Sequence, residues 1–203
     1  MTEPIPTDPN ERQSGLPYPL GPPQGREQLP DRGQPGAPAS WGMRALARIM
    51  DFIIVSFPFS FIVAALGTKT ITSGPDKGDL TGPLWPLLLF PIAFIIYETV
   101  LISMFGQTIG KWVCQVKAVR YTDGHLAYMQ EGFIRAFVPG VFLVAAYAAP
   151  IVGINALSYL QFVPILIYLA SLADPIYRGP HDKAANTIVL AAPRPRGFRR
   201  ARG

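Results

Sequence analysis

The chain contains 203 residues, of which 49% are hydrophobic and only 15% are charged. Soluble globular domains carry about 25% charged residues, so this composition argues against an ordinary soluble enzyme. The 18 Lys and Arg exceed the 13 Asp and Glu, which gives a formal net charge of +5, and the single cysteine, Cys114, excludes an internal disulfide and a thiol-rich metal site.

Residues 1–40 form a polar, proline-rich segment. Ten of the 22 prolines fall within the first 38 residues, among Gly, Gln, Asp and Arg. Such a composition cannot bury enough apolar surface to offset the entropy of ordering the chain. We therefore predict a disordered tail. It either acts as a plain solvated tether or presents residues 17–23 to an aromatic groove of a partner protein.

Apolar stretches follow that are long enough to cross a bilayer, which requires about 20 residues of helix. The apolar region from 137 to 173 is interrupted by Pro150, Gly153 and Asn155. A single helix of that length would overshoot a hydrocarbon core of about 30 Å, so we split it into two. The predicted spans cover residues 45–66, 84–105, 136–152 and 156–174. The sequence thus predicts an all-α membrane protein, a four-helix transmembrane bundle over residues 41–191 between the disordered tail and a basic end at 192–203.

Lys and Arg are distributed unevenly between the segments that join these helices. Sixteen of the 18 lie in the tail through Arg48, between the second and third helices, or after residue 177, whereas Lys69 and Lys77 lie in the first loop. Cytoplasmic segments retain Lys and Arg, so we predict a cell-membrane protein with both termini in the cytoplasm. The basic segment 192–203 is then expected to lie against the anionic inner leaflet rather than to bind nucleic acid.

Ionisable side chains inside apolar spans are costly, and they usually face the interior of the bundle. Asp51 on the first helix and Glu98 on the second both fall about 10 Å inside the cytoplasmic ends, at a rise of 1.5 Å per residue. The spacing i, i+4, i+7 places Arg44, Arg48 and Asp51 on one face of the first helix. The remaining charges at this end of the spans are Arg135, which enters the third helix, and Asp174, which closes the fourth.

Two acids at one level admit three interpretations. If Asp51 and Glu98 face each other, repulsion and burial favour protonation of one of them, and the pair becomes a candidate ion or proton site. If Arg48 and Arg135 neutralise them, the charges form a structural network that fixes helix packing. The third interpretation is a site for a lipid headgroup.

The segment after the second predicted helix lies next to the membrane. Its glycines and lysine lack the spacing of a phosphate loop. Apolar residues recur at helical spacing over 109–116, so we predict an interfacial segment in which Trp112 anchors the chain and Lys111 reaches lipid phosphate. Asp123 and Gly124 predict the turn of a small hairpin.

Four short motifs, in this order, resemble the RDD family of small multi-pass membrane proteins, named for one arginine and two aspartates. They are residues 47–51 (ARIMD), 106–111 (GQTIGK), 119–124 (VRYTDG) with Arg135 after it, and 181–187 (HDKAANT). The resemblance identifies the family's arginine with Arg48 and its aspartates with Asp51 and Asp182. Because it links them, it favours a contact between Asp182 and Arg48 over helix capping by Asp182. The family pattern has a basic residue where this chain has Trp112.

The resemblance implies an integral membrane protein, and some family members have been proposed as cation/proton antiporters. The tail is similar to that of proline-rich membrane proteins of actinobacteria. We therefore expect a small cation/proton transporter or channel-like protein, oligomeric because four short helices enclose little interior. The alternative is a non-transporting scaffold or interaction module whose tail recruits a partner protein. We expect no enzymatic activity, cofactor or metal site.

Overall fold

The computed structural model describes residues 36–70 and 80–192. Within these ranges four helices are long and apolar enough to cross a membrane, namely Trp41–Ala65, Trp85–Phe105, Met129–Val152 and Ala156–Ala173. Helices satisfy their own backbone hydrogen bonds, which is what a segment in lipid requires. The predicted all-α four-helix bundle is confirmed, whereas most of the predicted tail (1–35) and nearly all of the basic end (193–203) lie outside the described residues.

The first half of the bundle consists of two spans and a short connection. The elements are α1 (Trp41–Ala65), β1 (Lys69–Thr70), β2 (Leu80–Thr81), a 3₁₀ turn (Trp85–Leu88) and α2 (Leu89–Phe105). Ser40 begins α1 by accepting a hydrogen bond from the amide of Met43 at 3.4 Å. Gly106 ends α2 in the left-handed conformation at φ 69°, which a glycine adopts without steric cost.

The second half contains two further spans, each flanked by short elements. The elements are α3 (Ile109–Val113), β3 (Val116–Arg120), α4 (Met129–Val152), a 3₁₀ helix (Asn155–Phe162), α5 (Val163–Leu169), a 3₁₀ turn (Ala170–Ala173), α6 (Pro180–Ala184) and β4 (Thr187–Ala191). The fourth span therefore combines α5 with the 3₁₀ segments on either side of it. The loop between α4 and this span begins at Gly153, which is left-handed at φ 72°.

The spans α1 and α4 begin earlier than their predicted starts at 45 and 136. Helix α4 gains a polar first turn because Glu131 accepts a hydrogen bond from the amide of Tyr128 at 2.8 Å. A carboxylate at the third helical position satisfies a backbone donor that would otherwise lack a partner. An apolar run does not include such a turn, so hydropathy alone places the start too late.

A small antiparallel sheet closes one end of the bundle. Strand β3 pairs with β4 in a register that sets Val116 opposite Ala191 and Arg120 opposite Thr187. The predicted local hairpin after Asp123 is therefore wrong, because β3 pairs with the far end of the chain. Residues 36–39 also pair with β4, through the Gly36 amide to the Ala191 carbonyl at 2.9 Å and two further backbone bonds, so the predicted tail overlaps an ordered segment at 36–40.

Apolar side chains pack on either side of the level at which the charged side chains meet. Aromatic side chains of α1 and α2, including Phe90 and Phe94, pack around Val55 within the spans. Small and β-branched residues from α1, α2 and the sheet, including Ala47, Ile102 and Val189, pack at the sheet end. Helix α2 packs most extensively against α4, and α1 packs against α3. The charged side chains of α1, α2 and α4 are thereby brought between the spans and the sheet.

Candidate functional site: a buried charged layer

Seven ionisable side chains from five helices meet between the spans and the sheet, and we call this cluster the charged layer. Within the described part of the chain it comprises Arg44, Arg48, Asp51, Glu98, Lys111, Arg135 and Asp182. All are buried except Arg44 and Arg48, which are partly exposed. Four cations and three acids give the layer a formal charge of +1. Charges removed from water to this degree require partners.

Glu98 lies at the centre of this layer. The Arg48 guanidinium donates two parallel hydrogen bonds to it, at 2.6 Å to Oε2 and 2.7 Å to Oε1. Lys111 Nζ lies 3.2 Å from Oε1, and Arg135 Nε lies 3.7 Å from the same atom. The Arg48 guanidinium also packs over the Tyr168 ring, with its Cζ atom 4.6 Å from the ring centroid. Glu98 is thus compensated by three cations, and its bidentate pair with Arg48 fixes α1 against α2.

Asp51 is held mainly by hydrogen bonds from neutral donors. The Thr108 hydroxyl donates to Oδ2 at 2.5 Å, and the Gly110 amide and the Tyr97 hydroxyl each donate to Oδ1 at 2.8 Å. Lys111 Nζ lies 3.9 Å from Oδ2. The sequence correctly places Asp51 and Glu98 in one cluster, but Lys111 contacts both acids. They therefore share an ammonium group rather than forming an isolated carboxylate pair.

Lys111 is the residue that sequence reasoning places wrongly. Its side chain is buried, with 5% of the residue exposed, and points into the charged layer instead of toward lipid phosphate. The cause is the close approach of α3 to α1, because a Cβ at Gly110 would lie 2.3 Å from the carbonyl oxygen of Ala47. Burial lowers the pKa of Lys111. The neighbouring acids Glu98 and Asp51 act against this shift, whereas Arg48 and Arg135 add to it. Trp112, in contrast, is 54% exposed, as an interfacial anchor has to be.

Asp182 joins the C-terminal segment to the spans. It forms ion pairs with Arg135 and, at 3.6 Å, with Arg44, rather than with Arg48 as the family resemblance favours. It also caps α6, because the Gly179 amide donates to Oδ2 at 3.2 Å. Burial acts to raise the pKa of Asp182, but Arg135 and the other neighbouring donors outweigh it and hold that pKa at about 2.

Two of the predicted charge partners also hold the chain around the layer. Arg44 donates to the carbonyl oxygens of Tyr177 at 2.5 Å and Val189 at 2.7 Å, so it ties α1 to β4. Asp174 lies apart from the layer, where it pairs with Lys183 at 2.8 Å and accepts from the amide of Ile176. Asp174 is therefore part of the turn after the fourth span and not a neighbour of Glu98.

The charged layer lies within the part of the chain that is similar to known proteins. The model of the RDD family matches residues 38–186, which include every member of the layer. The uncharacterized protein YckC of Bacillus subtilis strain 168 is 27% identical over 157 residues, which cover 76% of this chain and 85% of that relative. No solved structure matches the chain.

Proposed function

Because the chain belongs to the RDD family of membrane proteins, we propose that its charged layer exchanges a proton for a monovalent cation, with Lys111 as the group that releases the proton. The observation that carries this proposal is the position of Lys111 Nζ. It lies 3.2 Å from Glu98 Oε1, 3.4 Å from Thr108 Oγ1 and 3.9 Å from Asp51 Oδ2. Oxygen atoms of this kind are also the ligands that hard cations take.

The charge of the layer supports an exchange of one proton for one cation. Burial lowers the pKa of Lys111, and Arg48 and Arg135 also favour its neutral form. Loss of the Lys111 proton takes the layer from +1 to zero. A monovalent cation bound between Asp51 and Glu98 restores the original charge, so the layer holds either the proton or the cation. The two acids predicted from the sequence, Asp51 and Glu98, then supply the ligands.

We also propose that the charged layer lies on the cytoplasmic side, with both termini in the cytoplasm. Sixteen of the 18 Lys and Arg fall in the segments that this orientation leaves in the cytoplasm. The start and the end of the described bundle lie at one end, since residues 36–39 pair with β4. This arrangement supports an even number of spans with the layer beside the sheet.

The second candidate function is a non-transporting membrane scaffold, whose proline-rich tail recruits a partner protein or which assembles with further copies. The observation in its favour is the pairing of the acids, because Glu98 and Asp182 already have arginine partners in the layer. In this case the layer only fixes the packing of α1, α2 and α4. Neither candidate function involves catalysis or a cofactor.

The two candidates are separated by proton-coupled sodium and potassium flux in vesicles of defined orientation. We expect an imposed pH gradient to drive cation flux through the wild type and through Lys183→Gln, a control at an exposed lysine outside the layer. Lys111→Arg should abolish flux while the protein still folds, because arginine keeps its proton. Absence of flux in the wild type, together with loss of thermal stability in Lys111→Arg, contradicts exchange and supports the scaffold.

A further inference from the structure

A cleft runs between α1 and the fourth span. Two cavities of about 330 and 360 Å³ open into it, and they have in common the lining residues Arg48, Ile49, Ile165 and Tyr168. Each volume lies at the lower end of the range of about 300–1,000 Å³ seen for ligand pockets. Along α1 the lining extends from Trp41 to Phe52, which is roughly 16 Å at 1.5 Å per residue. That length is about half of a hydrocarbon core of about 30 Å, or one leaflet.

The walls of the cleft are apolar, and the cleft is open toward the side of the bundle. Ile49 on α1 is 56% exposed, and Ile165 on the fourth span is 55% exposed. Phe52 and Phe162 continue the apolar lining away from the charged layer. The cleft therefore suits a hydrocarbon chain that enters from the side of the bundle.

One end of the cleft is cationic. Arg44, Arg48 and Arg135 line it there, and all three belong to the charged layer, whose formal charge is +1. Arg135 and His181 line the cavity, and among the residues that the structure describes their buried Nε and Nδ1 atoms have no hydrogen-bond partner. Buried polar atoms normally have such partners. The charged end thus carries an excess of positive charge and contains two buried nitrogen atoms that lack hydrogen-bond partners in the described part of the chain.

We propose that the cleft binds an anionic phospholipid from the leaflet in which the charged layer lies, with its phosphate at Arg44 and Arg48 and an acyl chain between Ile49 and Ile165. A zwitterionic lipid fills the apolar part equally well but leaves the excess charge without a counterion. An apolar helix from a second copy of the chain would likewise leave the excess charge without a counterion. Lys111 lines the same cavity, but lipid binding here does not depend on cation exchange at Lys111, and its test involves no ion flux.

The position of Trp41 in the cleft provides the test. Trp85 and Trp112 are both exposed, so Trp85→Phe with Trp112→Phe leaves Trp41 as the single tryptophan of the chain. This full-length protein is placed in phosphatidylcholine nanodiscs with increasing fractions of acyl-brominated phosphatidylglycerol or, separately, acyl-brominated phosphatidylcholine. We expect phosphatidylglycerol to reach half-maximal quenching of Trp41 at about fivefold lower mole fraction, as one unit of charge near a membrane implies.

Two variants locate the binding in the cleft. Ala45→Phe fills the charged end, since Ala45 lines the cavity there, and should abolish the fivefold preference. Leu46→Phe adds the same ring to the neighbouring, exposed position and should leave the preference unchanged. Circular dichroism and gel filtration establish that each variant folds. The comparison of the two brominated lipids requires no substitution in the cleft wall. It therefore tests the preference for an anionic headgroup even if Ala45→Phe does not fold.

Three results would overturn the proposal. Equal quenching by the two brominated lipids would show that the cleft does not select an anionic headgroup. A preference for phosphatidylglycerol that survives Ala45→Phe in a folded protein would place the lipid elsewhere. Protection of Trp41 from both lipids in a dimeric protein would assign the cleft to a second copy of the chain.

Discussion

Replacing Glu98 with glutamine tests the electrostatic balance of the charged layer. The substitution preserves the shape of the side chain and removes its negative charge. Both carboxylate oxygens receive hydrogen bonds from Arg48, and the residue is 1% exposed. In the variant, an amide NH2 group replaces one carboxylate oxygen. This group donates hydrogen bonds, and so does the Arg48 guanidinium that it faces, so the guanidinium loses an acceptor.

The expected cost follows from the number of cations that lose their partner. Lys111 at 3.2 Å and Arg135 at 3.7 Å share Glu98 with Arg48, so the layer changes from four cations and three acids to four cations and two acids. Removing one partner of a buried ion pair typically costs about 3–5 kcal/mol. We expect Glu98→Gln to lower the free energy of unfolding by about this amount, which is a large share of a typical total of about 5–15 kcal/mol.

The measurement is denaturant unfolding in detergent micelles, followed by circular dichroism. Glu131→Gln is the matched control, because Glu131 is partly exposed and glutamine can still accept the hydrogen bond from Tyr128; it should cost less than about 1 kcal/mol. The double variant Arg48→Met, Glu98→Met should be less destabilised than Glu98→Gln, since it removes both charges. A Glu98→Gln protein within about 1 kcal/mol of the wild type would refute the claim that Glu98 compensates the buried cations of the layer.

Three further predictions concern α3, the C-terminal segment and Lys111. Gly110→Ala should lower the free energy of unfolding by about 1–3 kcal/mol, because its Cβ meets the carbonyl oxygen of Ala47 at 2.3 Å. Gly42→Ala, whose Cβ meets no atom of the described residues within 4 Å, should leave the free energy of unfolding unchanged or higher. Burial lowers the pKa of His181 to about 4, below its value of about 6.5 in the unfolded chain. Between pH 6.5 and pH 4 the unfolded chain therefore binds more protons than the folded protein, so the wild type should lose stability as the pH falls through this range. In His181→Gln the difference between the unfolding temperatures at pH 7 and pH 5 should shrink, and an unchanged difference would contradict this assignment. Lys111→Gln, which mimics the neutral amine, should bind cations with little dependence on pH, as isothermal titration at pH 7 and pH 9 would show.

The four spans are predictable from the sequence because lipid leaves a long apolar segment almost no alternative to a helix. The spacing of Arg44, Arg48 and Asp51 likewise gives the face of α1 that turns inward, since charges in a span avoid lipid. What the sequence does not reveal is the partner of each charge. The distribution of acids among Arg48, Lys111 and Arg135 depends on how closely helices that are far apart in the chain approach one another.

Lys111 and β3 illustrate the two limits of local reasoning. The apolar periodicity over 109–116 predicts an interfacial helix, and Trp112 fits it, but only the contact between Gly110 and α1 turns Lys111 inward. The pair Gly110-Lys111 carried the available signal, because glycine permits a close approach that brings its neighbour into the core. Similarly, Asp123 and Gly124 predict a local hairpin, whereas β3 pairs with β4, some 70 residues further on.

Proton release on cation binding tests the central claim, exchange at Lys111, most directly. Purified protein in a weakly buffered solution is mixed with sodium or potassium chloride, with choline chloride as the control for ionic strength, and the released protons are measured with a pH dye. We predict release of up to one proton per chain in the wild type and none in Lys111→Arg. Cation binding without proton release, or equal release from the wild type and folded Lys111→Arg, would contradict it.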